Sequence, residues 1–133
     1  MIKNRSLPLL LAVILCLTGC ASLFLFGSGA GMGVGGYKYV KGSFTVIYQA
    51  PYMRTWDATL EALTNMNFRT KEKDHDLTKG KIGGNAADDQ WVSITVEYKS
   101  SQETEVVIRV GLFGDEKASI AIKEEIRKIL FKG

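Results

Sequence analysis

The sequence predicts a two-layer α+β domain: an antiparallel β-sheet with two amphipathic helices packed on one face, in the order β-α-β-β-β-β-α. Three observations predict it. Trp91–Lys99 and Thr104–Gly111 alternate apolar and polar residues with a period of two. Two other segments carry apolar residues at helical spacing. Aromatic and β-branched residues open the domain at Tyr37. Residues 37–133 are sufficient for a core, since a domain of this size buries somewhat over ~60% of its unfolded surface.

Tyr37–Tyr48 reads as one strand with Val40, Phe44, Val46 and Tyr48 on the core face. Ala50-Pro51 ends it and starts a helix, because proline's fixed φ and missing N–H suit a first helical turn. Tyr52, Met53, Trp56, Leu60 and Leu63 form the apolar stripe of that helix, and Asn65 or Asn67 supplies a left-handed residue to close it. Phe68–Asp76 is expected as a strand with Arg69, Lys71, Lys73 and His75 on one face. Thr70, Glu72, Asp74 and Asp76 lie on the other. Charge on both faces requires solvent, hence a place near an edge. Leu77-Thr78-Lys79-Gly80 turns the chain into a short strand over Lys81–Ala86, and Asn85–Gln90 form a polar loop.

A hairpin follows. Val92, Ile94, Val96 and Tyr98 face the core with Val106, Ile108 and Val110, so paired residue numbers must sum to an even value. A sum of 202 pairs Val96 with Val106 and Ile94 with Ile108, yet it opposes Glu97 to Glu105, and the register stays open. Gly114-Asp115 opens the last helix with Asp115 as N-cap. Ala118, Ile122, Ile126, Ile129 and Leu130 are its buried stripe, and Lys128 and Lys132 suit its negative end.

Ahead of the domain, Lys3 and Arg5 precede the apolar run Leu7–Leu17, which is 11 residues long. A bilayer span needs about 20, so residues 1–19 read as a secretory signal peptide. Leu17-Thr18-Gly19-Cys20 resembles the lipobox of bacterial lipoproteins. The resemblance implies that Cys20 is acylated and becomes the mature N-terminus. It also implies that Ala21, standing where Asp would retain a Gram-negative lipoprotein at the inner membrane, favours the outer membrane facing the periplasm. Residues 20–36 then form the lipidated cysteine and an apolar, glycine-rich collar or tether, with six glycines between Gly27 and Gly36. Gly27, Gly31 and Gly35 also sit four apart, the spacing of a self-associating membrane helix. About 16 residues at ~1.5 Å rise reach only ~24 Å of a ~30 Å hydrocarbon core, which favours the tether.

Composition closes several routes. The chain carries 17 basic and 14 acidic residues, and loss of Lys3 and Arg5 leaves 15 against 14. That balance gives no basic surface for nucleic acid. Cys16 leaves with the signal peptide and Cys20 is consumed by acylation, so thiol chemistry is excluded on this reading. One histidine, His75, cannot build a His-rich metal site.

No Ser/His/Asp set, paired-carboxylate motif or metal cluster stands out, so no catalytic residue, cofactor or metal is expected. Gly111–Asp115 reads as turn and cap. It is not a phosphate cradle, because the Asp115 carboxylate would occupy the amides. Asp88-Asp89 lacks EF-hand spacing, and His75 between Asp74 and Asp76 reads as solvated. Arg69, Lys71 and Lys73, with Lys79 and Lys81 nearby, are a candidate contact for anionic headgroups or an envelope polymer. Ile120 and Phe131 on the back of the last helix, with Trp91 on the polar face of its strand, are a candidate partner surface.

The plan joins a lipobox, a small-residue collar and a Tyr-led strand with Lys41-Gly42. Next come Ala50-Pro51, Trp56-Asp57-Ala58 and Leu63, then Ile108-Arg109-Val110-Gly111, then Gly114-Asp115 with Ser119, Ile122 and Ile126. It is similar to a family of small, uncharacterised bacterial lipoproteins classed only as a domain of unknown function. The resemblance covers essentially the mature chain. It implies an envelope location and an α+β domain, and it transfers no catalytic residue. The expected function is a lipid-anchored, non-enzymatic structural or adaptor domain. Its partners would be the membrane, through Cys20, and an envelope protein or polymer. Two alternatives are a periplasmic carrier or sensor of a small ligand, with a cavity lined by Trp56, Tyr48 or Tyr98, and a membrane-inserted oligomer formed through the collar.

Overall fold

A computed structural model describes residues 34–132. The elements run β1 (Val34–Val40), β2 (Ser43–Tyr48), α1 (Tyr52–Asn65), β3 (Arg69–His75), β4 (Lys79–Asn85), β5 (Trp91–Ser100), β6 (Glu103–Val110) and α2 (Glu116–Leu130). All pairings in the single sheet are antiparallel, in the order β1-β2-β6-β5-β4-β3. The fold is therefore α+β. The two helices pack on each other and on the sheet face carrying Phe44, Val46, Tyr48, Ile82, Ile94, Val96, Val106 and Ile108, with Ile126 of α2 opposite them, all buried.

The order differs from expectation at one place. Tyr37–Tyr48 is not one strand but a hairpin, split at Lys41-Gly42. Both turn residues have positive φ, +51° at Lys41 and +82° at Gly42, the pattern of two-residue turns that match strand twist. Glycine adopts this freely and lysine does not. A guanidinium from β6 compensates: Arg109 Nη1 donates to the Lys41 carbonyl at 2.9 Å. The turn inverts parity, pairing Val40 with Ser43, Tyr39 with Phe44 and Tyr37 with Val46. Tyr37 and Tyr39 thus take helix-side positions, and Val40, expected in the core, is 52% exposed. Tyr37 stacks on Phe44 with ring centroids 5.5 Å apart, and the Lys123 ammonium sits 4.4 Å from its ring centre. β1 begins at Val34, inside the stretch assigned to the collar. Cys20 and the rest of the collar and signal peptide lie outside the described residues.

In α1, Tyr52, Trp56 and Leu63 are buried as expected, whereas Met53 is exposed and Leu60 half-buried. Thr55, Ala58, Thr59 and Ala62 complete the inner face, and their small side chains bring the helix close to the sheet. The Thr55 and Thr59 hydroxyls donate to the carbonyls of Pro51 and Thr55, at 2.9 and 2.7 Å, so neither is unpaired inside. Asn67, at φ +59°, supplies the left-handed residue after the helix.

The β5–β6 register sums to 202, with Val96 on Val106, Ile94 on Ile108 and Glu97 on Glu105. An irregularity between Tyr98 and Ser100 accompanies a lysine beside the two acids: Lys99 Nζ lies 3.9 Å from Glu97 and 3.8 Å from Glu105. Asp115 caps α2, accepting from the Ala118 N–H at 3.0 Å. Ile122, Ile126 and Leu130 are buried with Ser119, while Ala118 and Ile129 are half-buried. The Tyr48 hydroxyl ties the sheet to α2 by donating to the Lys123 carbonyl, and the Thr104 hydroxyl of β6 donates to the Ala50 carbonyl in the β2–α1 connection, each at 2.8 Å. Among the described residues, no buried side-chain nitrogen or oxygen lacks a partner.

Candidate interaction surface

Strand β3 lies at the sheet edge with all seven residues exposed, as its charge pattern predicts. The expected cationic row does not form. A bulge between Thr70 and Glu72 takes Lys71 out of the pairing, so Arg69 pairs with Asn85 and Lys73 with Ile82. Ile82 faces the helices, which puts Lys73 on the helix side and Arg69 on the open face. Arg69 is also ion-paired to Asp89. One inserted residue therefore separates side chains that strict alternation would align.

His75, also on the helix side, covers the buried indole of Trp56 with ring centroids 4.7 Å apart. Gly80 packs on the same indole, and a Cβ there would lie 2.8 Å from its Cε3. In the β3–β4 turn, the Asp76 carboxylate accepts the N–H groups of Thr78 and Lys79, at 2.8 and 2.9 Å, and the Thr78 hydroxyl. The Thr78 amide first, then that of Lys79, holds this carboxyl below its ordinary value. The Tyr52 hydroxyl donates to the Asp76 carbonyl at 3.2 Å, and burial first, then the Asp76 charge, pushes its phenol up. An open depression beside this turn is bounded by Asp74, His75, Lys79 and Lys81. A second runs between the helices, where Arg54 is already committed to the Leu130 carbonyl at 2.6 Å.

The two residues expected to mark a partner surface on α2 separate. Ile120 is 38% exposed. Phe131 follows the helix end, packs against the core and is half-buried. Trp91 is exposed on the open sheet face, where its ring reaches over Gly83 beside Glu72.

The most exposed neighbouring apolar side chains lie elsewhere, in the loop Gly111–Gly114, where only turn and cap were expected. Leu112 is 80% and Phe113 87% exposed. Their backbone is tied down. The Gly111 N–H donates to the Trp91 carbonyl at 2.7 Å, and Arg109 Nη2 donates to the Leu112 carbonyl at 2.8 Å. The loop also closes onto the β1–β2 turn: a Cβ on Gly42 would lie 2.8 Å from the Phe113 carbonyl oxygen. The signal in the sequence was an omission. Leu112 keeps the even parity of Val106, Ile108 and Val110, but Phe113 breaks the alternation, neither residue falls on the stripe of α2, and Gly111 and Gly114 flank the pair.

Among the described residues, no three His, Cys, Asp or Glu side chains converge as a metal site, and no helix is long and apolar enough to cross a membrane. A family model described as "Protein of unknown function (DUF3568)" matches residues 6–129, nearly the whole chain. No curated protein matches it.

Proposed function

We propose that this chain, which belongs to the DUF3568 family of proteins of unknown function, is a lipid-anchored lipoprotein of the bacterial envelope with a non-enzymatic structural or adaptor domain. The observation that carries the reading is Leu17-Thr18-Gly19-Cys20 directly behind an 11-residue apolar run with a basic start. An acylated Cys20 confines the domain to the membrane surface, and confinement raises its effective concentration toward partners there. Ala21 behind Cys20, in place of a retaining Asp, favours sorting to the outer membrane, facing the periplasm.

Two features of the domain support an adaptor over a carrier or an enzyme. Of the three residues expected to line a ligand cavity, Trp56 and Tyr48 are 2% and 0% exposed and packed into the core, whereas Tyr98, expected on the core face, is 44% exposed beyond the edge of the core. Four side chains suited to acid–base work are engaged structurally. Asp76 closes a turn, Asp115 caps α2, His75 covers Trp56 and Glu124 pairs with Arg127 at 2.8 Å. The test is intact mass on protein extracted from membranes, beside a Cys20→Ala variant. A chain that starts at Cys20 and carries acyl mass, absent from the variant, is expected. An unacylated chain, or one that keeps residues 1–19, overturns the reading.

A further inference from the structure

We propose that the Leu112–Phe113 loop is a second membrane contact, entering the interfacial layer of a phospholipid bilayer. The inference rests on the envelope-lipoprotein reading only for the nearness of a membrane. It starts from an anomaly of burial. Large apolar side chains normally leave water, yet two adjacent ones are 80% and 87% exposed at the end of a turn. They are not loose. Arg109 bonds the carbonyls of both Lys41 and Leu112, and Gly111 bonds Trp91.

This pinning is what a bilayer contact requires. Backbone groups carried into the acyl boundary without partners are costly; here the Gly111 N–H and the Leu112 carbonyl already have them, and the remaining loop amides need only the water and headgroups of a shallow, interfacial position. Charge fits the same occupant. Lys41, exposed on the adjoining turn, lies where lipid phosphates would meet it. The acid that follows the loop in the chain, Asp115, is engaged by the Ala118 N–H. Lys117 and Glu116, both exposed at the start of α2, balance each other. A projecting pair also suits a fluid interface, which needs no complementary pocket.

Reach is sufficient. The loop adjoins the end of the β1–β2 hairpin opposite Val34. At ~3.3 Å per residue, the seven residues of β1 span about 23 Å, and residues 20–33 extend to at most ~46 Å. A chain anchored at Cys20 can thus bring the loop to the same leaflet.

The test uses the full chain in vesicles of phosphatidylethanolamine and phosphatidylglycerol. A Phe113→Trp change in a Trp91→Phe background reports from the loop, because the remaining Trp56 is buried. With lipids brominated on the acyl chains, the new tryptophan is expected to lose about half its emission and to resist acrylamide, as apolar residues buried ~5–10 Å into the acyl boundary would. Adding Leu112→Asp should abolish the quenching. That substitution changes a side chain the core does not use, and circular dichroism checks that the fold is kept. Equal acrylamide quenching with and without lipid overturns the proposal and redirects the loop to a protein partner. Intact mass on the same sample separates the two ideas. Quenching in an unacylated chain sustains the loop contact alone, and an acylated chain without quenching overturns the loop contact alone.

Discussion

Arg109 joins two turns with one guanidinium, and nothing near it in sequence says so. Its partners are Lys41, 68 residues earlier, and Leu112, three residues later. Local capping was legible because its geometry is local: Asp115 at the start of α2 and Asn67 after α1 both took the expected roles. Arg109 could not be read the same way, since β6 meets the β1–β2 turn only after the sheet assembles. Arg109→Ala is expected to cost about 1–2 kcal/mol in urea unfolding. It should also speed hydrogen exchange at Gly42 and residues 111–114 ahead of the strands. Tyr48 gives a residue-level pH signature. Burial first, then the charge of Glu124, pushes its phenol well up, with Arg127 opposing. A raised folded-state value means stability is intact below the unfolded value of 10.0 and is lost above it. Wild type should therefore weaken above pH 10 by up to ~1.4 kcal/mol per pH unit from this group. Tyr48→Phe should flatten that limb while costing ~1 kcal/mol at neutral pH for the lost bond to Lys123.

At the level of elements, strong periodicity was readable and interruptions were not. Parity limited the β5–β6 register to even sums and left the observed sum of 202 open, because it opposes Glu97 to Glu105; the Lys99 that sits beside both acids, next to an irregularity after Tyr98, is not announced by parity. In β3 the bulge at Lys71 undid the candidate cationic face for the same reason. Tyr37–Tyr48 looked like one strand because aromatic and β-branched residues flank Lys41-Gly42 on both sides. Lysine is also a poor signal for a positive-φ turn. The β3–β4 turn is held by a lowered carboxyl, Asp76. A lowered value contributes stability above the unfolded 3.8 and loses it as pH falls through the folded value. Asp76→Ala should accordingly destabilise the protein at pH 7. It should also show a shallower loss than wild type on acid titration below about pH 4, read by thermal melts.

For the whole molecule, the α+β class followed from two periodicities and survived an extra strand. The proposed anchor rests on the sequence alone, since Cys20 precedes the described residues. The exposed loop was legible only in the structure. Core and loop should respond oppositely to truncation. Ile94→Ala, at 0% exposure, is expected to cost about 2–5 kcal/mol, whereas Leu112→Ala should stay within ~0.5 kcal/mol in the same unfolding assay. The strand order also sets the sequence of assembly. Four of the five strand pairings join neighbours in the chain, and only β2–β6 closes a long loop, with Tyr48 meeting Thr104. Hairpin β1–β2 and the meander β3 to β6 can form from local contacts, so the seam between them carries the largest closure entropy among the strand pairings and is expected to set the folding barrier. Val46→Ala and Val106→Ala, which face each other across that seam, should slow refolding more than they speed unfolding, whereas Ile82→Val in β4 should act mainly on the unfolding rate.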